Sequence, residues 1–176
     1  MKIYHFSGDR LESERFFSES LSEYIETTGL KIPASALRDV GKGPHGKPYF
    51  TDPALKDIFF SRSHTEGHEI VVFSDKEIGI DCENTEARPG IEDRYMGIAG
   101  RYFTDDEQAY IDGSVERFYE IWTSKEAYMK YTGKGFSEGF RSFSALTPPG
   151  AIIETGRVSG APHIVYSVCA AGEGHE

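Results

Sequence analysis

Phe17, Leu21, Tyr24, Ile25 and Thr28 recur at helical spacing and predict a helix over Glu12–Thr28, stopped by Gly29. Lys2–Phe6 ahead of it reads as a short strand, and Gly41–Pro48 (GKGPHGKP) as a Gly/Pro-rich loop. Ile58–Phe60, Glu69–Phe73 and Glu77–Glu83 follow as strands with short turns between them. Ile91–Tyr102 reads as a helix. Thr104, with Glu107 three residues on, forms a capping box for a short helix that Asp112-Gly113 breaks. Val115–Tyr131 is the clearest helix, with Gly133 as its stop. Strands are expected again over Phe140–Leu146, Ala151–Glu154 and His163–Cys169, and Ala170–Glu176 as a frayed tail. This order predicts a mixed α+β protein, not a regular βαβ alternation. The expected organisation is a single compact unit of two halves, 1–76 and 77–176, each a helix packed on a small antiparallel sheet.

Three departures from the apolar pattern carry the chemistry. Along Glu77–Glu83 the side chains alternate faces, so Ile78, Ile80 and Cys82 point one way and Gly79, Asp81 and Glu83 the other. Two neighbouring carboxylates raise each other's pKa unless a cation or donors compensate, and a hard divalent metal is a natural compensator. Gly79 would leave room for a ligand; a solvated strand face explains the same two acids without any ligand. On the long helix Phe118, Ile121, Trp122, Lys125 and Met129 form one stripe, and Lys125 sits in the middle of it. It must snorkel outward or meet a buried anion. Glu126 and Lys130, four apart on the flank of the stripe, are either a surface pair of about 0.3–0.5 kcal/mol or a metal ligand with a phosphate-binding cation. Ser63-His64 after a strand could hold a phosphate with turn amides, or be incidental. No Ser/His/Asp nucleophile set has the support of a strand–turn–helix GxSxG elbow, no GxGxxG follows a predicted strand, and a Walker loop and zinc-spaced Cys/His clusters are absent from the sequence.

Composition narrows this further. The 176 residues are 38% hydrophobic and 13% aromatic, enough for a folded core, and the formal net charge of −10 opposes binding to nucleic acid or to an anionic membrane. Cys82 and Cys169, each among apolar residues, read as reduced, buried thiols of a cytoplasmic protein. Met1–Phe6 shows no signal pattern, and no apolar run approaches the ~18 residues that span a bilayer. A monomer is expected.

The segments Gly46-Lys47-Pro48-Tyr49-Phe50, Phe60-Ser61-Arg62-Ser63-His64, Ile78-Gly79-Ile80-Asp81-Cys82-Glu83, Arg101-Tyr102-Phe103 and Trp122-Thr123-Ser124-Lys125-Glu126-Ala127, running on through Lys130 to Gly133-Lys134-Gly135, occur in this order. Each alone is weak. As an ordered set, GIDxE followed by WxxKEAxxKxxGxG, they resemble the 4′-phosphopantetheinyl transferase superfamily, in its Sfp-type branch. The resemblance implies a pseudo-twofold α+β fold with the site in the cleft between two halves. It implies transfer of the phosphopantetheine arm of coenzyme A to a serine of an acyl, peptidyl or polyketide carrier protein, releasing adenosine 3′,5′-bisphosphate. It also implies that Asp81, Glu83 and Glu126 bind Mg²⁺ and that Glu126 is the base. Lys130 and Lys125 would neutralise the pyrophosphate, Ser63 and His64 would bind the nucleotide's phosphates, and Lys47 would border the adenosine. Arg15, at about the family's distance before Gly46, would be a phosphate arginine. The chain departs from the family in lacking a basic segment before the first long helix, and in Arg62 and Glu66, which stand where apolar or small residues are usual. Tyr and Phe residues near Phe103, Phe136 and Phe140 are candidates for docking the acidic carrier. A metal-dependent phosphohydrolase and a non-catalytic module that binds coenzyme A or a carrier are the competing readings.

Overall fold

The structure is a computed structural model and describes residues 1–9, 12–32, 39–86, 92–135 and 139–172. Its order is β1 (Lys2–Ser7), α1 (Ser13–Thr28), β2 (Val40–Lys42), β3 (Pro48–Phe50), a short 3₁₀ turn at Pro53–Leu55, β4 (Phe59–Thr65), β5 (His68–Ser74), β6 (Ile78–Asn84), α2 (Glu92–Tyr102), α3 (Asp105–Ile111), α4 (Val115–Thr132), a second 3₁₀ turn at Phe140–Ser142, β7 (Ala151–Val158) and β8 (Ala161–Ala171). The expected α+β class is the one observed. Two antiparallel three-stranded sheets are ordered β1-β5-β4 and β6-β8-β7, and β2-β3 forms a separate hairpin. Both sheets use their strands in the same way: the first strand stands at one edge, helices intervene, and a closing hairpin places its last strand in the centre.

Period-2 alternation then builds the layers. On β5, Val71 and Phe73 face α1 and join Phe17, Leu21, Tyr24 and Phe60 in one core cluster. Ile70 and Val72, on the opposite face, meet Ile78, Ile80 and Cys82 of β6 and Ile164 and Val168 of β8 in a core shared by the two sheets. Val165 and Cys169, on the far side of β8, pack with Tyr95, Phe103, Ile111, Phe118, Ile121 and Met129 of the helices. Both cysteines are free and buried, as expected. Among the described residues, no helix is long and apolar enough to cross a membrane.

Four expected elements differ. The Gly41–Pro48 loop is instead the turn of the β2-β3 hairpin. Three-residue strands are too short to show a period, and Gly41 leaves space for the exposed Tyr49 ring, whose Cζ lies 2.7 Å from where a Cβ would stand. The strand expected at Ile58–Phe60 runs on to Thr65, so Ser63-His64 lies within a strand. Phe140–Leu146 is not a strand: its backbone is held by buried side chains, described below. The tail is less frayed than expected, because Ala170 pairs with Ile78 and Ile152. Ile91, Phe136 and residues 173–176 lie outside the described residues.

Candidate functional site

Strands β4 and β6 are the facing edges of the two sheets, and side chains join them rather than a backbone ladder. Ser61, Ser63 and Thr65 alternate along β4 and all turn toward β6. The Ser61 hydroxyl accepts from the Ile80 amide at 3.1 Å, Ser63 donates to Asp81 Oδ1 at 2.8 Å, and Thr65 Oγ1 accepts from the Asn84 amide at 3.3 Å. The seam was legible as S-x-S-x-T, a run of small hydroxyls at strand spacing. Reading Ser63-His64 as a turn hid it. Strand geometry also separates the two predicted phosphate ligands. Ser63 is buried against Asp81, while His64 is exposed on the opposite face of β4 beside a cavity lined by Phe6, Ser13, Arg62, Glu66 and Glu69.

Helix α4 lies across the other side of β6, and Gly79 permits that contact. A Cβ at Gly79 would stand 2.1 Å from the Ala127 carbonyl oxygen and 2.4 Å from the Tyr131 amide. The expectation that Gly79 leaves room for a ligand is therefore corrected: the helix occupies that room. The close approach carries Glu126 and Lys130 to the carboxylates of β6. Lys130 Nζ donates to Asp81 Oδ1 at 2.8 Å. Asp81 is 7% exposed, and Glu83 and Glu126 are half-buried. Burial pushes the Glu126 carboxyl up to about 7; the Asp81 and Glu83 charges push the same way, and the Lys130 ammonium opposes them. Glu83 is raised by burial and then by Asp81, with hydrogen bonds from Thr65 and Trp122 pulling it down. The three acids thus stand in one another's field, as the D-x-E and helix readings require.

The donor set is oxygen-only, anionic and mutually repelling, which fits a hard divalent cation. Among the described residues, no three His, Cys, Asp or Glu side chains are gathered into a ready coordination shell. Lys130 supplies the positive charge at Asp81 instead.

Two cavities flank this ridge. Glu126 and Lys130 line one of about 260 Å³ together with His45, Lys47, Phe60 and Gly133. Glu83 lines another of similar size with Glu66, Arg94, Tyr95 and Trp122. Lys47 reaches the first cavity, but its ammonium is engaged with the Tyr131 carbonyl at 2.8 Å and with Glu77, so it caps the C-terminal end of α4.

Two predicted ligands stand apart from the ridge. Lys125 is 0% exposed, and its ammonium is spent on Glu107 (2.9 Å) and on the carbonyls of Phe140 (2.5 Å) and Phe143 (2.7 Å), beneath the Phe143 ring. The assignment of Lys125 to a phosphate is corrected, because a fully buried ammonium with three oxygen partners cannot reach one. The other option held open for it, a buried anion, is what the structure shows. Glu107, read as a local cap, does accept from the Thr104 amide at 2.8 Å, but its second oxygen holds both Lys125 and the Ala145 amide at 2.6 Å. This pair fixes residues 140–145 in non-strand geometry. Arg15 is largely exposed on α1, near Glu12 and Glu19 of its own helix and away from the carboxylates. Phe103 and Phe140 themselves are core residues, while the neighbouring Tyr102 is 42% exposed.

A family model for the 4′-phosphopantetheinyl transferase superfamily matches residues 77–170, which span β6 to β8 and carry all three carboxylates and Lys130. A 4′-phosphopantetheinyl transferase of Bacillus subtilis is 37% identical over 149 residues, covering 77% of this chain and 63% of the relative. The transferase Sfp of Bacillus subtilis strain 168 is 34% identical over 105 residues, 57% of this chain and 43% of its own length. AcpT of Escherichia coli is 32% identical over 104 residues, 56% and 51%. The chain thus spans between about two fifths and two thirds of the length of these relatives. Its matched region, its fold and its ordered motifs agree: the chain belongs to the 4′-phosphopantetheinyl transferase superfamily.

Proposed function

We propose that this protein transfers the 4′-phosphopantetheine group of coenzyme A to a serine of an apo carrier protein, giving holo-carrier and adenosine 3′,5′-bisphosphate, with Mg²⁺. The observation that supports this best is the ridge of Asp81, Glu83 and Glu126 between two cavities, with Lys130 bonded to Asp81. Asp81, Glu83 and Glu126 are the residues that would hold the cation. Few carboxylates are needed, because Mg²⁺ commonly takes its other oxygens from substrate phosphates and water. The cation would supply charge neutralisation at the pyrophosphate, the main requirement of phosphoryl transfer.

The chain's own groups divide the remaining work. Coenzyme A enters beside Lys47 and the Gly46 turn, where Lys130 meets its pyrophosphate; a nucleotide phosphate extends past Arg62, which lines both this cavity and the one beside His64, to His64. The carrier serine approaches from the cavity of Glu83, Tyr95 and Trp122. Glu126 takes the serine proton as the hydroxyl oxygen attacks the phosphorus of the pantetheine arm. A new P–O bond forms, the bond to the nucleotide breaks, and adenosine 3′,5′-bisphosphate leaves. Ser63 orients Asp81. The two sheets, 1–76 and 77–176, act as halves with the site at their seam, in a monomer of the cytoplasm.

The test is mass spectrometry of an apo carrier incubated with coenzyme A and Mg²⁺. Loading should require the metal and should vanish in Asp81→Ala with the far-UV spectrum intact. Undiminished loading by Asp81→Ala overturns the assignment. Release of adenosine bisphosphate from coenzyme A without any carrier would point to hydrolysis instead.

A further inference from the structure

Away from the carboxylates, the fold brings three histidines together. His5 lies on β1, His68 opens β5, and His163 lies near the start of β8. The β1-β5 register pairs Ser7 with His68 and His5 with Ile70, so the two imidazoles sit diagonally on one face of an antiparallel pair. Their rings lie nearly in one plane and meet end to end, with centroids 5.2 Å apart and planes at 15°. His5 Nε2 and His68 Nδ1 face each other at 3.0 Å. His163 stands edge-on to His68 at 5.5 Å, with Glu86 3.9 Å from its Nδ1.

We propose that His5 Nε2 and His68 Nδ1 form a chelating site for a borderline transition cation such as Zn²⁺ or Cu²⁺, with water completing its coordination. The bite is right. Two imidazole nitrogens each about 2.0–2.1 Å from one ion, at about 90–110°, stand about 2.9–3.4 Å apart. The observed 3.0 Å falls inside that window; the two nitrogens now point at each other, so each ring turns by about 40° to aim its lone pair at a shared ion, a motion open to the exposed His5 ring. Both histidines sit on paired strands, so the backbone fixes the spacing before a cation arrives. His5 is exposed, which leaves an entry path and room for water ligands.

The ligand type also separates this site from the ridge. Imidazole suits Zn²⁺, Cu²⁺ and Ni²⁺, whereas an all-oxygen set suits Mg²⁺. Proton accounting is simple: two neutral imidazoles share one hydrogen-bonding proton, and binding requires only that this ring carry it on its other nitrogen. No net charge leaves the protein. His163, whose ring edge rests on His68, limits the rotation of that ring.

The experiment is a Zn²⁺ titration of the whole chain by calorimetry in excess Mg²⁺, which keeps the carboxylates occupied. It is paired with Cu²⁺ electron paramagnetic resonance. The expected result is one ion per chain, with affinity weakened about tenfold or more in His5→Gln and in His68→Gln. It should be unchanged in Glu126→Gln. Cu²⁺ should show two coordinated nitrogens in the wild type and fewer in His5→Gln. Wild-type affinity in His5→Gln, or a loss in Glu126→Gln that His5→Gln does not share, overturns the site. His5 is exposed, so His5→Gln keeps its fold and decides the matter even where His68→Gln does not.

Discussion

Glu126 is the residue at which charge and fold are most at odds. Its carboxyl titrates near 7 in the fold against an ordinary value of 4.5, so the fold disfavours its ionised form. The sign follows from linkage. A carboxyl raised in the folded state weakens the fold progressively as pH climbs from about 4.5 through about 7, and the full cost is present above that. In chelator at pH 8, Glu126→Gln should therefore be more stable than the wild type by about 1–2 kcal/mol, after discounting for partial exposure. At pH 5 the difference should fall toward zero, and Mg²⁺ should stabilise the wild type more than the variant. Thermal melts with and without metal check all three outcomes. Lys125 is the opposite case, a charge committed to structure. Burial lowers its pKa and Glu107 raises it. Removing one partner of a buried pair strands the other, so Lys125→Met should cost about 3–5 kcal/mol, and Lys125→Met with Glu107→Leu should cost less than the sum of the single changes. Denaturant titration measures both. The sequence showed that Lys125 was out of place but not where its ammonium went, because Glu107, Phe140 and Phe143 are brought to it only by tertiary packing.

Elements were legible where they were long. Helix α4 was expected over Val115–Tyr131 and is observed over Val115–Thr132, since its apolar stripe and Gly133 stop leave little ambiguity. The β2-β3 hairpin and the non-strand course of residues 140–145 were not legible. The first is too short for any period, and the second is imposed by Lys125 and Glu107 across the core. The β6-α4 contact combines a correct reading with an incorrect one. Alternation put Gly79, Asp81 and Glu83 on one face, but whether helix or ligand meets that face depends on packing. Gly79→Ala should force α4 off β6, because the obstacle at 2.1 Å is backbone and cannot rotate aside. The expected loss is at least ~2 kcal/mol in stability. Carrier loading should fall as well, since Glu126 and Lys130 ride on the displaced helix.

At the scale of the whole molecule, the carboxylate ridge separates two cavities whose linings share no residue. Under the proposed transfer, coenzyme A and carrier would enter by different openings and occupy the site together, with the serine as the direct acceptor. Initial rates measured while both substrates are varied should give intersecting reciprocal plots; parallel lines would require a pantetheinylated enzyme. The hydroxyl seam between β4 and β6 has a different consequence, for self-association. A strand edge left bare is a template for another chain. Here the two longest inward edges are turned on each other and closed by Ser61, Ser63 and Thr65, which leaves β1 and β7 as the outer borders of the sheets. β7 carries Glu154 and Arg157 and loses register at Arg157/Val158, features that spoil edge-to-edge stacking. The stitching that assembles the site also keeps these two strand edges out of reach of neighbouring chains.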